Sequence, residues 1–225
     1  MKDIFEYLKH NSYPGRGLIL GRSEDEDLIA YFIMGRSENS QNRVFRKDGD
    51  ILYTKAYDES KVKDPTLIIY NALRKYEDMT IVTNGDQTDT IYESLKLGNT
   101  FRDALETREY EPDEPNYTPR ISGLLKEDRS YEIAILRKED DHCKRDYYEY
   151  QGENGVGHFI STYDHDGDPL PSFSGGPIPI RIDKEPERFA YDLWESLDRK
   201  NRISLYVRIG TKEWIFNRHG GMENE

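Results

Sequence analysis

Short β-type runs joined by tight turns, with a few helical stretches far apart in the chain, predict an α+β fold. In such a fold antiparallel sheets are covered by helices. Three observations carry this. Residues 43–47 and 51–57 flank Asp48-Gly49, a strong short-range hairpin signal. Residues 121–126 and 131–137 repeat the arrangement around the polar stretch 127–130. Residues 186–197 place Pro near the start and Phe189, Leu193, Trp194 and Leu197 on one face, the pattern of a packed helix. At 225 residues, with no repeat and no evident linker, one domain over 1–225 is expected.

The remaining elements follow in order. Within 1–12, Ile4, Phe5 and Leu8 share a face and predict a short leading helix. Pro14-Gly15 is a break, and Leu18-Ile19-Leu20 begins a buried strand. Residues 27–36 form a second strand, pairing with the first across 23–26; a polar loop fills 37–42. A polar link over 58–65 ends at Pro65. Residues 67–76 fit helix or strand. Bulky, partly β-branched Leu67, Ile68, Ile69 and Tyr70 favour a strand, paired with 79–83 across Glu77-Asp78. Residues 89–97 and 100–106 read as helical pieces hinged at Gly98, while 147–151 and 158–163 read as short strands. The Pro-, Gly- and Asp-rich stretch 164–179 is a long irregular connection of the kind that covers sites. Strands at 202–209 and 213–216 close the chain, and 220–225 is expected to fray.

Composition narrows the function classes. A net charge of −12 argues against a nucleic-acid surface, although a local arginine cluster admits a small anion. The hydrophobic fraction is 35%, but 17 Tyr and 8 Phe supply large buriable surface, which argues against disorder. Cys143 is the single cysteine, so no intramolecular disulfide and no CxxC metal motif exists. Neither an apolar leader nor a membrane-spanning run is visible, which predicts a cytoplasmic protein without a membrane partner.

The stretch at 81–91, IVTNGDQTDTI, is the chemical focus. A strand stops at Asn84-Gly85 and helical spacing resumes at Ile91 and Leu95. Orphan N–H groups at such a junction attract anions; equally, Asp86 or Thr88 could simply cap the helix. A second polar cluster, 110–120, is placed to close over the same spot. Other motifs have blander readings. Gly15, Gly17 and Gly21 are off the phosphate-loop pattern and read as a turn. Asp164, Asp166 and Asp168 begin like a calcium loop, but Pro169 stands where Gly is required and Gly175 where the closing Glu belongs, so no metal is expected. The five histidines are scattered, and Cys143 reads as a surface thiol in a turn. Arg36 and Arg43 flank a polar loop at strand ends, where arginine suits phosphate or an amide oxygen. Tyr70-Asn71 lies late in an apolar run; Glu109, Glu111, Asp113 and Glu114 form a carboxylate run, whose bland reading is a solvated loop.

Five pieces together resemble the archaeal-type IMP cyclohydrolase family and its bacterial relatives. They are GRGLILG at 15–21, SENSQNR at 37–43, VTNGDQTDTI at 82–91, EYEPDEPNYTPRISG at 109–123 and HFISTY at 158–163. They occur in the family's order; the C-terminal third matches loosely. The resemblance implies a four-layer αββα sandwich like that of N-terminal-nucleophile hydrolases. It also implies closure of 5-formamidoimidazole-4-carboxamide ribonucleotide to IMP with loss of water, in de novo purine biosynthesis, without a cofactor. The chain departs from the nucleophile-hydrolase mechanism: Lys2 follows Met1, and a helical extension precedes the first strand, so no Ser, Thr or Cys is expected as a free N-terminus.

By the same resemblance Arg43 would face the formyl oxygen, Tyr70 would protonate the leaving oxygen, and Glu111 would accept the amide proton, aided by Tyr110. Asn71, Asn84, Gly85, Asp86, Thr88 and Asp89 would line the nucleotide pocket, with Arg16, Arg36 and Arg120 as phosphate candidates. The implied partner is a purine ribonucleotide, and exposed sheet edges admit a homo-oligomer. Two alternatives stay open: a nucleotide-binding protein without catalysis, and an amidohydrolase acting on a related formamide.

Overall fold

The computed structural model describes residues 1–62, 65 and 68–224. Among the described residues two seven-stranded antiparallel sheets form the body of the molecule. The first has β1 (Arg16–Ser23), β2 (Glu26–Met34), β10 (Val156–Ser161), β11 (Ile178–Arg181), β12 (Arg202–Ile209), β13 (Lys212–Asn217) and β14 (Gly221–Asn224). Their spatial order is β11-β10-β1-β2-β12-β13-β14. The second runs in chain order through β3 (Arg43–Asp48), β4 (Ile51–Ala56), β5 (Asn71–Tyr76), β6 (Met79–Thr83), β7 (Arg120–Leu125), β8 (Tyr131–Glu139) and β9 (His142–Tyr150). The helices are α1 (Ile4–Lys9), α2 (Glu38–Gln41), α3 (Gln87–Lys96), α4 (Phe101–Glu106) and α5 (Pro186–Ser196). None of the helices described is long and apolar enough to cross a membrane.

The two-residue period of a strand divides the core into layers. Leu18, Leu20, Ile29 and Tyr31 meet Phe45, Leu52, Val82 and Ile121 between the sheets. Their neighbours Ile19, Leu28 and Phe32 turn the other way, onto Ile4, Leu8, Phe189 and Leu193 of α1 and α5. On the second sheet Ile81, Leu124 and Leu136 face Ile91, Leu95, Phe101 and Leu105 of α3 and α4. Central strands are thus buried on both faces. That explains the near-continuous apolar run from Leu28 to Met34.

Several expectations are corrected. Gly17 and Gly21 lie inside β1, not in a turn. A Cβ on Gly17 would stand 2.2 Å from Cζ of Phe32, so the missing side chain makes room for a crossing ring. The loop at 37–42 contains α2, started by a Ser37–Ser40 capping box. The strand expected from 67 begins at Asn71; residue 67 itself lies outside the described residues. Cys143 is half-buried in β9, not in a turn. The tail expected to fray pairs with β13 as β14, with Phe216 opposite Met222.

His158, on β10, is stacked on Tyr150 with ring centroids 3.6 Å apart, and its Nδ1 lies 2.7 Å from the Tyr131 hydroxyl. Burial pulls its pKa from 6.5 down to about 4. A depressed histidine pKa means that the unfolded chain binds the proton first, so this contribution is whole above pH 6.5 and is lost as pH falls toward 4. His158→Gln is therefore expected to lose less stability than the parent chain across that window, as read by thermal melts at a series of pH values.

Candidate functional site

Because each hairpin reverses the chain, one rim of the two sheets collects the start of β1, the end of β2, the starts of β3 and β7, and the ends of β6 and β10. The strand period then aims specific residues into the gap. Arg16 is in phase with Leu18 and Leu20, and Arg43 with Phe45, so both guanidinium groups enter the space between the sheets.

Arg43 is only 2% exposed. Its Nε donates to the Ser40 carbonyl at 2.7 Å and its Nη2 to the Met34 carbonyl at 3.5 Å, while Nη1 has no hydrogen-bond partner among the described residues. Burial lowers its pKa, with Tyr70 opposing and Arg16 adding to the fall. An arginine starts so high that it stays cationic. Arg16 forms an ion pair through Nη2 with Oε1 of Glu111. Burial disfavours the charge on Arg16, yet Glu111 and the nearby Tyr70 hold its pKa well above the ordinary value. Burial pushes the Glu111 carboxyl upward, with Arg16 pulling against it. Tyr70 completes the group: its hydroxyl lies 2.8 Å from that of Tyr31, on β2.

The segment between α4 and β7 carries Glu111 to this place and is pinned there. The Glu111 amide donates to the Thr118 carbonyl at 2.8 Å, and the Thr118 amide donates to Asp113 at 2.6 Å. The Thr118 and Tyr163 hydroxyl oxygens lie 2.5 Å apart, which ties the segment to the end of β10. Asn84, fully buried, donates to the Pro119 carbonyl at 2.9 Å and lies 3.5 Å from Glu111. Its oxygen accepts from Gln87 at 2.9 Å and from the Ile121 amide at 2.8 Å. The strand–helix junction and the 110–120 cluster therefore meet.

Other expected site residues are held nearby or elsewhere. Arg120 donates to Asp86 and to Gln87, each at 2.7 Å. Gly85 permits this closeness, since a Cβ would stand 2.6 Å from Nη1 of Arg120. Asp86 also accepts from Arg108 at 2.5 Å; although burial opposes it, these two arginines bring its pKa below the ordinary value. Asp86 sits at the N-cap of α3 without a side-chain capping bond, and the Thr88 hydroxyl is 2.7 Å from that of Thr83. Neither residue caps the helix, because each is engaged by a stronger or closer partner. Asn71 donates to Asp89 at 3.0 Å, and Arg74 does so at 2.7 Å. That trio lies on the α3 side of the second sheet, apart from the inter-sheet cluster. Arg36 donates to Asp166 at 2.7 Å and to the Gly167 carbonyl at 2.9 Å, with its guanidinium 5.0 Å from the Tyr13 ring centroid. Tyr110 packs edge-on to Tyr117.

Tyr31, Gln87, Thr118 and Tyr163 were not anticipated as parts of this cluster. Tyr31 had a signal: one hydroxyl within an apolar strand must find a polar partner when buried. Among the described residues no three His, Cys, Asp or Glu side chains converge as a metal site.

The pattern of a family described as IMP cyclohydrolase-like protein matches residues 13–213. An IMP cyclohydrolase of Methanococcus maripaludis strain C7 is 31% identical over 157 residues, spanning 68% of this chain and 75% of the relative. One from Methanosphaera stadtmanae is 31% identical over 158 residues, spanning 68% and 74%. A third, from Methanopyrus kandleri, is 28% identical over 155 residues, spanning 67% and 75%. With the matched pattern running from the residue before Pro14 to the start of β13, the chain belongs to the IMP cyclohydrolase-like protein family.

Proposed function

We propose that the chain is an IMP cyclohydrolase, closing 5-formamidoimidazole-4-carboxamide ribonucleotide to IMP and water at the inter-sheet rim. The observation that carries this reading is Arg43: a buried cation with an unspent Nη1 donor, beside Tyr70 and near Arg16, the ion-pair partner of Glu111. A buried donor without a partner is costly unless a ligand fills it. The layered helix–sheet–sheet–helix packing is read as an N-terminal-nucleophile-hydrolase-like sandwich in which Arg16 heads the first strand.

The chemistry asks little beyond orientation and proton transfer. Formamido and carboxamide groups sit on adjacent ring carbons, so holding the substrate in a near-attack pose supplies much of the acceleration. Glu111 takes a proton from the carboxamide nitrogen as that nitrogen attacks the formyl carbon. Its raised pKa makes it a better base than an ordinary carboxylate. Charge then develops on the former formyl oxygen, where Arg43 donates. Tyr70 protonates this oxygen to a hydroxyl, and protonated Glu111 returns the proton it took as that hydroxyl departs as water. The formamide N–H proton, released as the ring C=N bond forms, restores Tyr70.

Arg16 is assigned to orienting Glu111, and Arg36 and Arg120 at the rim to the phosphate. Asn84, Gly85 and Asp86 border the nucleotide, while Asn71, Thr88 and Asp89 steady the start of α3. The test is incubation of the purified chain with the formamido ribonucleotide, without added metal, following IMP by absorbance and mass. IMP is expected. Formate release without ring closure would favour an amidohydrolase; tight IMP binding without turnover would make this a binding protein.

A further inference from the structure

We infer that Tyr31 is a positioning residue that sets the direction of the Tyr70 hydroxyl proton, an inference that rests on the ring-closing role assigned to Tyr70. The argument begins with hydrogen-bond satisfaction. The two hydroxyl oxygens are 2.8 Å apart, so one must donate to the other. Tyr31 is completely buried, whereas Tyr70 keeps 6% exposure. Among the described residues, Tyr70 is the hydrogen-bond partner of the Tyr31 hydroxyl. Were Tyr70 the donor, the Tyr31 proton would be left in the core without an acceptor, facing the cations Arg16 and Arg43. Tyr31 must therefore donate, and the Tyr70 proton is turned away from it, toward the rim.

That polarity is what a proton donor needs. It also prepares the state after transfer. A Tyr70 oxygen that has lost its proton would accept from Tyr31 and lie near both guanidinium groups, each of which is already influenced by Tyr70. Tyr31 itself keeps its proton, because burial and the neighbouring Tyr70 hold its pKa well above the ordinary value. Phe45 packs on its ring at a centroid distance of 5.7 Å, but the hydroxyl is presented by the strand itself, whose backbone at Tyr31 is paired on one side with Leu18 and on the other with Tyr206.

The experiment is a double-mutant cycle on turnover of the formamido ribonucleotide, with Tyr31→Phe, Tyr70→Phe and the pair. Tyr31→Phe is expected to lower kcat by roughly 10- to 100-fold, with KM and IMP affinity nearly unchanged. In the Tyr70→Phe background the same change should cost almost nothing further, since Tyr31 acts only through Tyr70. Phe45→Leu disturbs the same packing without touching either hydroxyl; it should lower Tm and leave kcat close to the parent value. Undiminished kcat in Tyr31→Phe, or a full additional loss in the pair, would overturn the inference while leaving the ring-closing reading intact. A loss of kcat in Phe45→Leu as large as that in Tyr31→Phe would also overturn it, by making packing the cause. Full turnover by Tyr70→Phe would remove the role of Tyr70 itself, and Tyr31 would then have nothing to position.

Discussion

Glu111→Gln is expected to lower kcat by about 10²- to 10⁴-fold, the range typical of a lost general base. The substitution keeps the shape and one acceptor oxygen but removes the charge that faces Arg16. Burial raises the Glu111 pKa, so the parent enzyme should lose activity on the acid side as this base is protonated, with a midpoint above the ordinary value of 4.5. The sign is that of a base: activity is present above the folded-state pKa and falls as pH drops through it. In Glu111→Gln that acid limb should vanish along with most of the rate. Stability should fall too, because the buried Arg16 charge loses its counter-ion; breaking such a pair costs about 3–5 kcal/mol, less whatever the remaining amide oxygen recovers. Rate and pH profile together separate a lost base from a merely weakened fold.

Arg43→Lys is expected to reduce kcat by about 10²- to 10³-fold, comparable to removing one donor from an oxyanion-stabilising site. Lysine keeps the charge but not the fork. Arg43 uses Nε for Ser40 and Nη2 for Met34, with Nη1 unpartnered among the described residues, and one ammonium cannot hold that set of directions. The effect should fall on kcat more than on KM, since the charge on the formyl oxygen grows in the transition state. Steady-state kinetics, with circular dichroism to verify folding, checks this.

How much of this was readable in advance depends on how local the cause was. The β3–β4 hairpin and α5 were legible because Asp48-Gly49 and the Phe189–Leu193 spacing act over a few residues. The tail was not: β14 exists because β13 offers the other half of a ladder, and no property of GMEN alone announces it. Gly17 read as part of a turn because its reason for being glycine, the Phe32 ring, belongs to the neighbouring strand. The same distance rule governs the site. Arg16 is a phosphate candidate by resemblance alone, and its ion-pair partner Glu111 lies 95 residues away in the chain. Capping of α3 by Asp86 was a sound local expectation that lost to Arg108 and Arg120, which the fold brings in from later segments. Arg43, Tyr70 and Glu111 came together as candidates through family resemblance. Their individual patterns, an arginine at a strand end and a glutamate in an acidic run, have solvated surface readings.

The most direct test of the inter-sheet cluster is a single-turnover experiment with enzyme in excess over the formamido ribonucleotide, run on the parent chain and Arg43→Lys side by side with IMP titrations. The predicted result is rapid IMP formation by the parent chain and a rate lower by about 10²-fold or more in the variant, with IMP affinity within a few-fold. Equal single-turnover rates in two well-folded proteins would contradict it, and would move the chemistry away from Arg43.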